Sequence, residues 1–183
     1  MTRAWLAIGV ALLMWTTAGA REHWAQFRGA AAGVADDDPT LPETWDKTQN
    51  VAWVTDLPGL GWSSPVVWGD QIFVTTVISS GQAAPPQKGL FPGTIPYDAQ
   101  VRHRWMVYAI DFATGRVRWQ QEVRNVVPPT PKHIKNSFAS ETPVTDGERV
   151  YVLFADIGLF AFDMQGKPVW AKEIAPMERE FGY

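Results

Sequence analysis

The chain has 183 residues, a formal net charge of -3 and no cysteine. The charge is near balance, and the sequence shows no basic patch of the kind that nucleic-acid binding needs. The missing thiols exclude a disulfide framework, a thiolate zinc site and a cysteine nucleophile. Ten Trp, fifteen Gly and fourteen Pro punctuate the sequence too often for long helices, and predict many short strands.

The first twenty residues read as an export signal. Arg3 supplies the positive start, Leu6–Trp15 an apolar run too short to span a bilayer, and Ala18-Gly19-Ala20 a cleavage site. The mature chain is therefore expected to begin at Arg21. It would have no membrane span after signal removal and a periplasmic or extracellular destination. Sequencing exported material should give Arg-Glu-His-Trp; a membrane-bound form that keeps Met1 is the contrary result. Residues 21–50 form an N-terminal extension with His23–Gly29 (HWAQFRG) and the acidic run Asp36, Asp37, Asp38. That run lacks the alternating ligands of a calcium loop and reads as a solvated turn.

From residue 51 the chain repeats. Val51–Leu57 is predicted as the first strand and carries Trp53. Ser63–Val77 reads as two strands around Gly69-Asp70. Glu141–Leu153 is its second copy, around Asp146-Gly147, with Pro65 and Pro143 at matching strand starts. Val107–Val123 reads as a second hairpin. Tyr108, Ile110 and Phe112 alternate with Val107, Ala109 and Asp111, Thr114-Gly115 turns, and Val117, Trp119, Gln121 and Val123 share a face. Leu159–Ile174 repeats it: Asp163 matches Asp111, Gly166 matches Gly115, and Trp170 matches Trp119. Trp53 sits in its strand as those tryptophans sit in theirs.

Two long connections interrupt the pattern. Ser79–Arg104 reads as an inserted loop with Arg102-His103-Arg104 at its solvated edge, and Arg124–Ala139 is the second. Long loops in a compact repeat tend to carry function or mobility. The unit is thus a four-stranded antiparallel sheet that cannot bury both faces alone. Radial stacking solves this, which favours a propeller over a solenoid. Trp119 and Trp170 are then expected in equivalent buried sites between sheets. A two-sheet arc leaves a face open to water.

No catalytic or metal residue is assigned. His23, His103 and His133 lack metal-ligand spacing. Asp111 and Asp163 recur at one phase beside a turn, which points to a backbone hydrogen-bonding role. Serine-elbow, phosphate-loop and dinucleotide fingerprints are missing from the sequence. Trp24, Trp45, Trp62 and Trp68 read as packing residues, with stacking on a planar ligand or sugar as the alternative. Lys132, Lys135 and Arg124 make the 124–138 loop locally basic, as a solvated loop or toward an anionic partner.

Ala109–Trp119 (AIDFATGRVRW) and Ala161–Trp170 (AFDMQGKPVW) resemble the blade phrase A-x-D-x-x-(T)-G-x-x-x-W of the pyrroloquinoline-quinone-like (PQQ-like) β-propeller repeat family. The second copy lacks the Thr and has Pro168 before Val169. Trp24–Gly29, Leu41–Trp45 and Asn50–Thr75 resemble exported bacterial members. The resemblance implies an all-β partial β-propeller of four-stranded antiparallel blades, quinoprotein-alcohol-dehydrogenase-like. It spans 51–183 as two blades plus a leading strand, incomplete at the C-terminus. Its repeat positions are Trp53, Asp111, Gly115, Trp119, Asp163, Gly166 and Trp170. The implied function is a non-catalytic binding or scaffold propeller acting on an unknown protein or small-molecule ligand, without a cofactor. One alternative is a segment of a PQQ-dependent oxidoreductase, with PQQ and calcium; the Cys pair usual beside that quinone is missing here. The other is a carbohydrate- or peptide-binding propeller.

Overall fold

The computed structural model describes residues 23–35, 37–81, 101–133, 135–155 and 157–176. The export signal, the start at Arg21 and most of the 79–104 insertion therefore lie outside the described residues.

Eight strands form two meandering four-stranded antiparallel sheets. The first contains β1 (Val66–Trp68), β2 (Gln71–Ser79), β3 (His103–Asp111) and β4 (Val117–Val126). The second contains β5 (Val144–Thr145), β6 (Arg149–Phe154), β7 (Gly158–Asp163) and β8 (Pro168–Lys172). Each copy of the repeat makes one sheet. The carboxylate of Asp111 accepts from the N–H of Ala113 and Thr114 at 3.1 and 2.8 Å, and that of Asp163 from Gln165 and Lys167 at 3.0 and 2.8 Å. Both aspartates thus satisfy turn donors that no strand reaches. The copies differ by one residue between Asp and Gly. Even so, both sheets carry a register shift at the same place, Ala109/Ile110 and Ala161/Phe162.

The sheets pack face to face through matched rows. Val66, Phe73, Ala109 and Trp119 lie in register across the first sheet. They meet Val150, Val152, Phe154, Phe160 and Phe162 of the second. Trp119 is half-buried, with ring centroids 5.9 Å from Phe73 and 6.1 Å from Phe162. Its Nε1–H donates to Met164 O at 3.0 Å, and the Gln121 amide donates to Gly166 O at 2.8 Å. The other face of the first sheet buries Met106, Tyr108 and Ile110 under Trp53 and Leu57. There Trp53 Nε1–H donates to Phe112 O at 3.0 Å and Thr55 Oγ1 to Gly115 O at 2.5 Å. The same device therefore occurs twice: a Trp roofs a glycine turn, and the residue two positions on bonds the glycine carbonyl.

Several expectations need correction. Val51–Leu57 is not a strand. A strand needs a ladder partner, and among the described residues the segment pairs with no strand; its Trp53 and Thr55 side chains bond it to the Phe112–Gly115 turn instead. Trp170 is not buried but 42% exposed. Its row, Val144, Tyr151, Ala161 and Trp170, repeats the buried row of the first sheet, yet meets no third sheet among the described residues. Trp45 and Trp62 are exposed rather than packed, at 71% and 50%. His103 and Arg104 belong to β3, where Ser79 and Ile78 pair with them. The ladder runs four residues further than Val107 because β2 is long enough to pair there.

Two further contacts tie the extension to the sheets. Trp24 exchanges both backbone bonds with Val67, at 2.9 and 2.8 Å, and Ala25 O accepts from Thr145 N at 2.9 Å. Residues 23–25 thus join the first strand of one sheet to the first strand of the other. The His23 ring stacks on Trp68 at 3.9 Å.

At the tight-turn end, Arg118 bridges Asp70 and Asp111, each at 2.5 Å. Its hydrogen bond, with those of Thr114, holds the Asp111 carboxyl down to about 2. A carboxylate depressed on folding stabilises above its unfolded pKa, about 3.9, and loses that contribution as pH falls toward the folded value. Melting of wild type and Asp111→Asn should therefore differ at pH 5 and converge between pH 4 and about 2. A gap that does not change with pH would contradict the linkage.

Candidate functional site

The strand order places two kinds of connection at opposite ends of the sheets. The turns β1–β2, β3–β4, β5–β6 and β7–β8 are tight and share one end. The connections β2–β3 (residues 80–102), β4–β5 (127–143) and β6–β7 (155–157) share the other. Both long connections therefore emerge together. The segment before β1 joins them, since the N–H groups of Trp62 and Ser63 both donate to Ala139 O, at 2.9 and 3.1 Å.

The 127–143 connection is cross-braced. Asn136 Oδ1 accepts from Ser137 N at 2.6 Å, Phe138 N at 3.2 Å and Ser140 Oγ at 2.6 Å. Asn136 N donates to His133 O at 2.8 Å, and Lys135 N to the buried His133 ring at 3.2 Å. Ser64 N donates to Thr142 Oγ1 at 3.0 Å, tying the connection to the start of β1. These bonds hold Phe138 at φ 63°. That is a left-handed conformation a bulky residue rarely adopts, and it persists only where surroundings over-determine it.

Phe138 is the centre of an aromatic group. Trp105, 1% exposed, donates Nε1–H to Phe138 O at 3.2 Å, with ring centroids 6.1 Å apart. The His103 ring meets Phe138 edge-on at 5.4 Å and donates Nδ1–H to Val101 O at 3.1 Å. Lys132 Nζ lies 5.9 Å from the Phe138 centroid and donates to Asn136 O at 2.8 Å. Burial pulls the His103 pKa below its ordinary value, the bond to Val101 opposes this, and the Lys132 charge adds to the lowering. Burial likewise lowers Lys132.

Beside this group lies a cleft of about 520 Å³ between Val126, Val127, Pro129, Ile157, Ile174 and Pro176. Arg124 and Glu173 close one side as a pair at 2.6 Å. Among the described residues no cluster of His, Asp or Glu is arranged to hold a metal ion. No helix among them is long and apolar enough to cross a membrane.

The structure distributes the sequence candidates unevenly. Asp111, Gly115, Asp163 and Gly166 gather at the tight-turn end, with Trp53 and Trp119 over the two glycines. Among the described residues the three histidines form no group that could hold a metal ion. Lys132 and His103 converge on Phe138, whereas Lys135 is exposed and Arg124 is paired. Sequence reasoning did not single out Trp105, Asn136 or Phe138. The signal for Trp105 was present in the alternation of His103-Arg104-Trp105-Met106 continuing that of Val107–Asp111. Nothing local marked Phe138, whose role depends on partners more than thirty residues away.

Among curated proteins, none matches this chain. A solved structure, "Europium-containing methanol dehydrogenase", is similar at 15% identity and a TM-score of 0.30, over 60% of this chain and 24% of that one. This chain thus spans about a quarter of that protein's length, and the likeness carries no chemistry. The family described as "Outer membrane protein assembly factor BamB" matches residues 13–181. With that match covering nearly its whole length, and with two copies of one four-stranded sheet stacked through Trp119, the chain belongs to the BamB-type PQQ-like repeat family and forms part of a β-propeller.

Proposed function

We propose that this chain is part of an exported, non-catalytic binding or scaffold propeller that holds its partner at the long-connection end. In this reading residues 1–20 are a cleaved signal, 21–50 an extension and 51–183 the repeat region, which needs neither quinone nor metal. The observation that carries it is the division of labour between the two ends. One consists of tight turns that join sheets; at the other the cross-braced 127–143 connection surrounds a strained aromatic centre beside a cleft. Loops placed by a rigid scaffold are where recognition resides. Family members are typically periplasmic or exported, which supports the destination.

The test uses the exported full chain as bait, beside a version with residues 132–138 replaced by Gly and Ser. A partner held by the first and lost from the second is the expected result. Saturable uptake of PQQ with calcium, together with dye-linked alcohol oxidation, would overturn the non-catalytic reading. A second reading rests on Trp62, half exposed at the same end: an open indole face suits a sugar ring. Saturable binding of a glycan that Trp62→Ala abolishes would favour it.

A further inference from the structure

We propose that Lys132, held over Phe138 beside His103 and Trp105, is the binding point for a carboxylate group of this propeller's ligand. The inference rests on the binding role argued above and names its chemistry. An ammonium carries three donors, and a half-buried one needs acceptors or a counter-charge. Lys132 gives one donor to Asn136 O, and none of the ion pairs among the described residues includes it.

The positions are fixed in advance. Asn136 both receives the lysine and, through Oδ1, sets the backbone of Ser137 and Phe138. Trp105 clamps the Phe138 carbonyl from β3. The loop accepts a left-handed Phe138, and the Lys132 ammonium and the His103 ring lie 5.9 and 5.4 Å from its ring centroid. Strain retained by so many bonds marks a site built for contact rather than a loose surface.

The charge selects the ligand. His103 commits Nδ1–H to Val101 O, and the half-buried setting disfavours a second charge beside Lys132. The site therefore presents one positive charge, which balances a monoanion better than a phosphate dianion. The aromatic wall adds apolar contact for the body that carries the carboxylate.

Calorimetric titration of the full chain at constant ionic strength tests this with three probes: sodium benzoate, a capped glutamate-rich peptide and inorganic phosphate. Saturable heat with a carboxylate probe is expected, weakened at least tenfold in Lys132→Met and in Lys132→Gln and unchanged in Lys167→Met, at the exposed tight-turn end. Benzoate as the better probe assigns the source to a free organic acid; the peptide as the better one assigns it to an acidic protein segment. Cooperative melting of each variant confirms folding, and the two Lys132 replacements guard against one that fails. Three results overturn the proposal: no saturable heat with either carboxylate, equal affinity in the folded Lys132 variants, or phosphate binding as tightly. If a captured partner survives Lys132→Met but is lost on replacing 132–138, the binding role stands and this site falls.

Discussion

Replacing Gly166 by Ala should destabilise the chain by roughly 2–5 kcal/mol, adding about 1–2 for a left-handed residue to about 1–3 for overpacking. Gly166 has φ +85°, and an added Cβ would stand 2.5 Å from Cδ2 of Trp119. That ring cannot step aside cheaply, because its Nε1–H is bonded to Met164 O and Phe162 lies beyond it. Gly69 is the control. It has φ +58° with nothing within 4 Å of an added Cβ, so Gly69→Ala pays only the conformational part, about 1–2 kcal/mol. Chemical denaturation of both variants separates the terms. Equal losses would mean that the indole does not depend on contact with the turn.

The second large effect is expected at Trp105. Truncation to Ala removes a side chain 1% exposed and should cost about 3–5 kcal/mol. Trp105→Phe keeps most of the apolar fill but gives up the bond to Phe138 O, at about 1 kcal/mol. The two variants should also differ locally. Without the indole N–H the 132–140 segment loses its tie to β3, so proteolysis there should quicken in both. Half-buried Trp119 lacks that tie, and Trp119→Ala should loosen the sheet interface instead. Cleavage patterns that do not distinguish the Trp105 and Trp119 variants would contradict this assignment.

The repeat was legible because its determinants are local. Alternation in Val107–Asp111, the Asx turns at Asp111 and Asp163, and the Trp at fixed phase each need only neighbours in sequence. The pairing of Trp119 with Phe162 and Met164 followed once sheets were stacked. Val51–Leu57 misled because it has strand composition, while strand formation depends on an edge that composition cannot supply. Trp170 misled for the same reason on the other side: phase specifies which face a residue takes, not whether a neighbour covers it. The candidate site was the least legible part. Lys132 and His103 were visible as a basic loop and a loop edge. Their meeting at Phe138 depends on β3 starting four residues earlier than expected and on an Asn136 network that leaves only a weak turn signal.

The docking of Trp53 on Gly115 also bears on self-assembly. The stack has a direction: each sheet offers an indole on one side and a glycine turn on the other. Surfaces of that kind are heterologous, and between copies they propagate into open filaments unless the rotation closes a ring. Here the chain fills its own leading acceptor, since Trp53 and Thr55 already occupy the Gly115 turn, while Trp119 fills Gly166. A second molecule approaching with Trp170 therefore finds the Gly115 and Gly166 turns already covered. With Trp53 and Thr55 in place, the Gly115 turn is closed to an indole from a second copy.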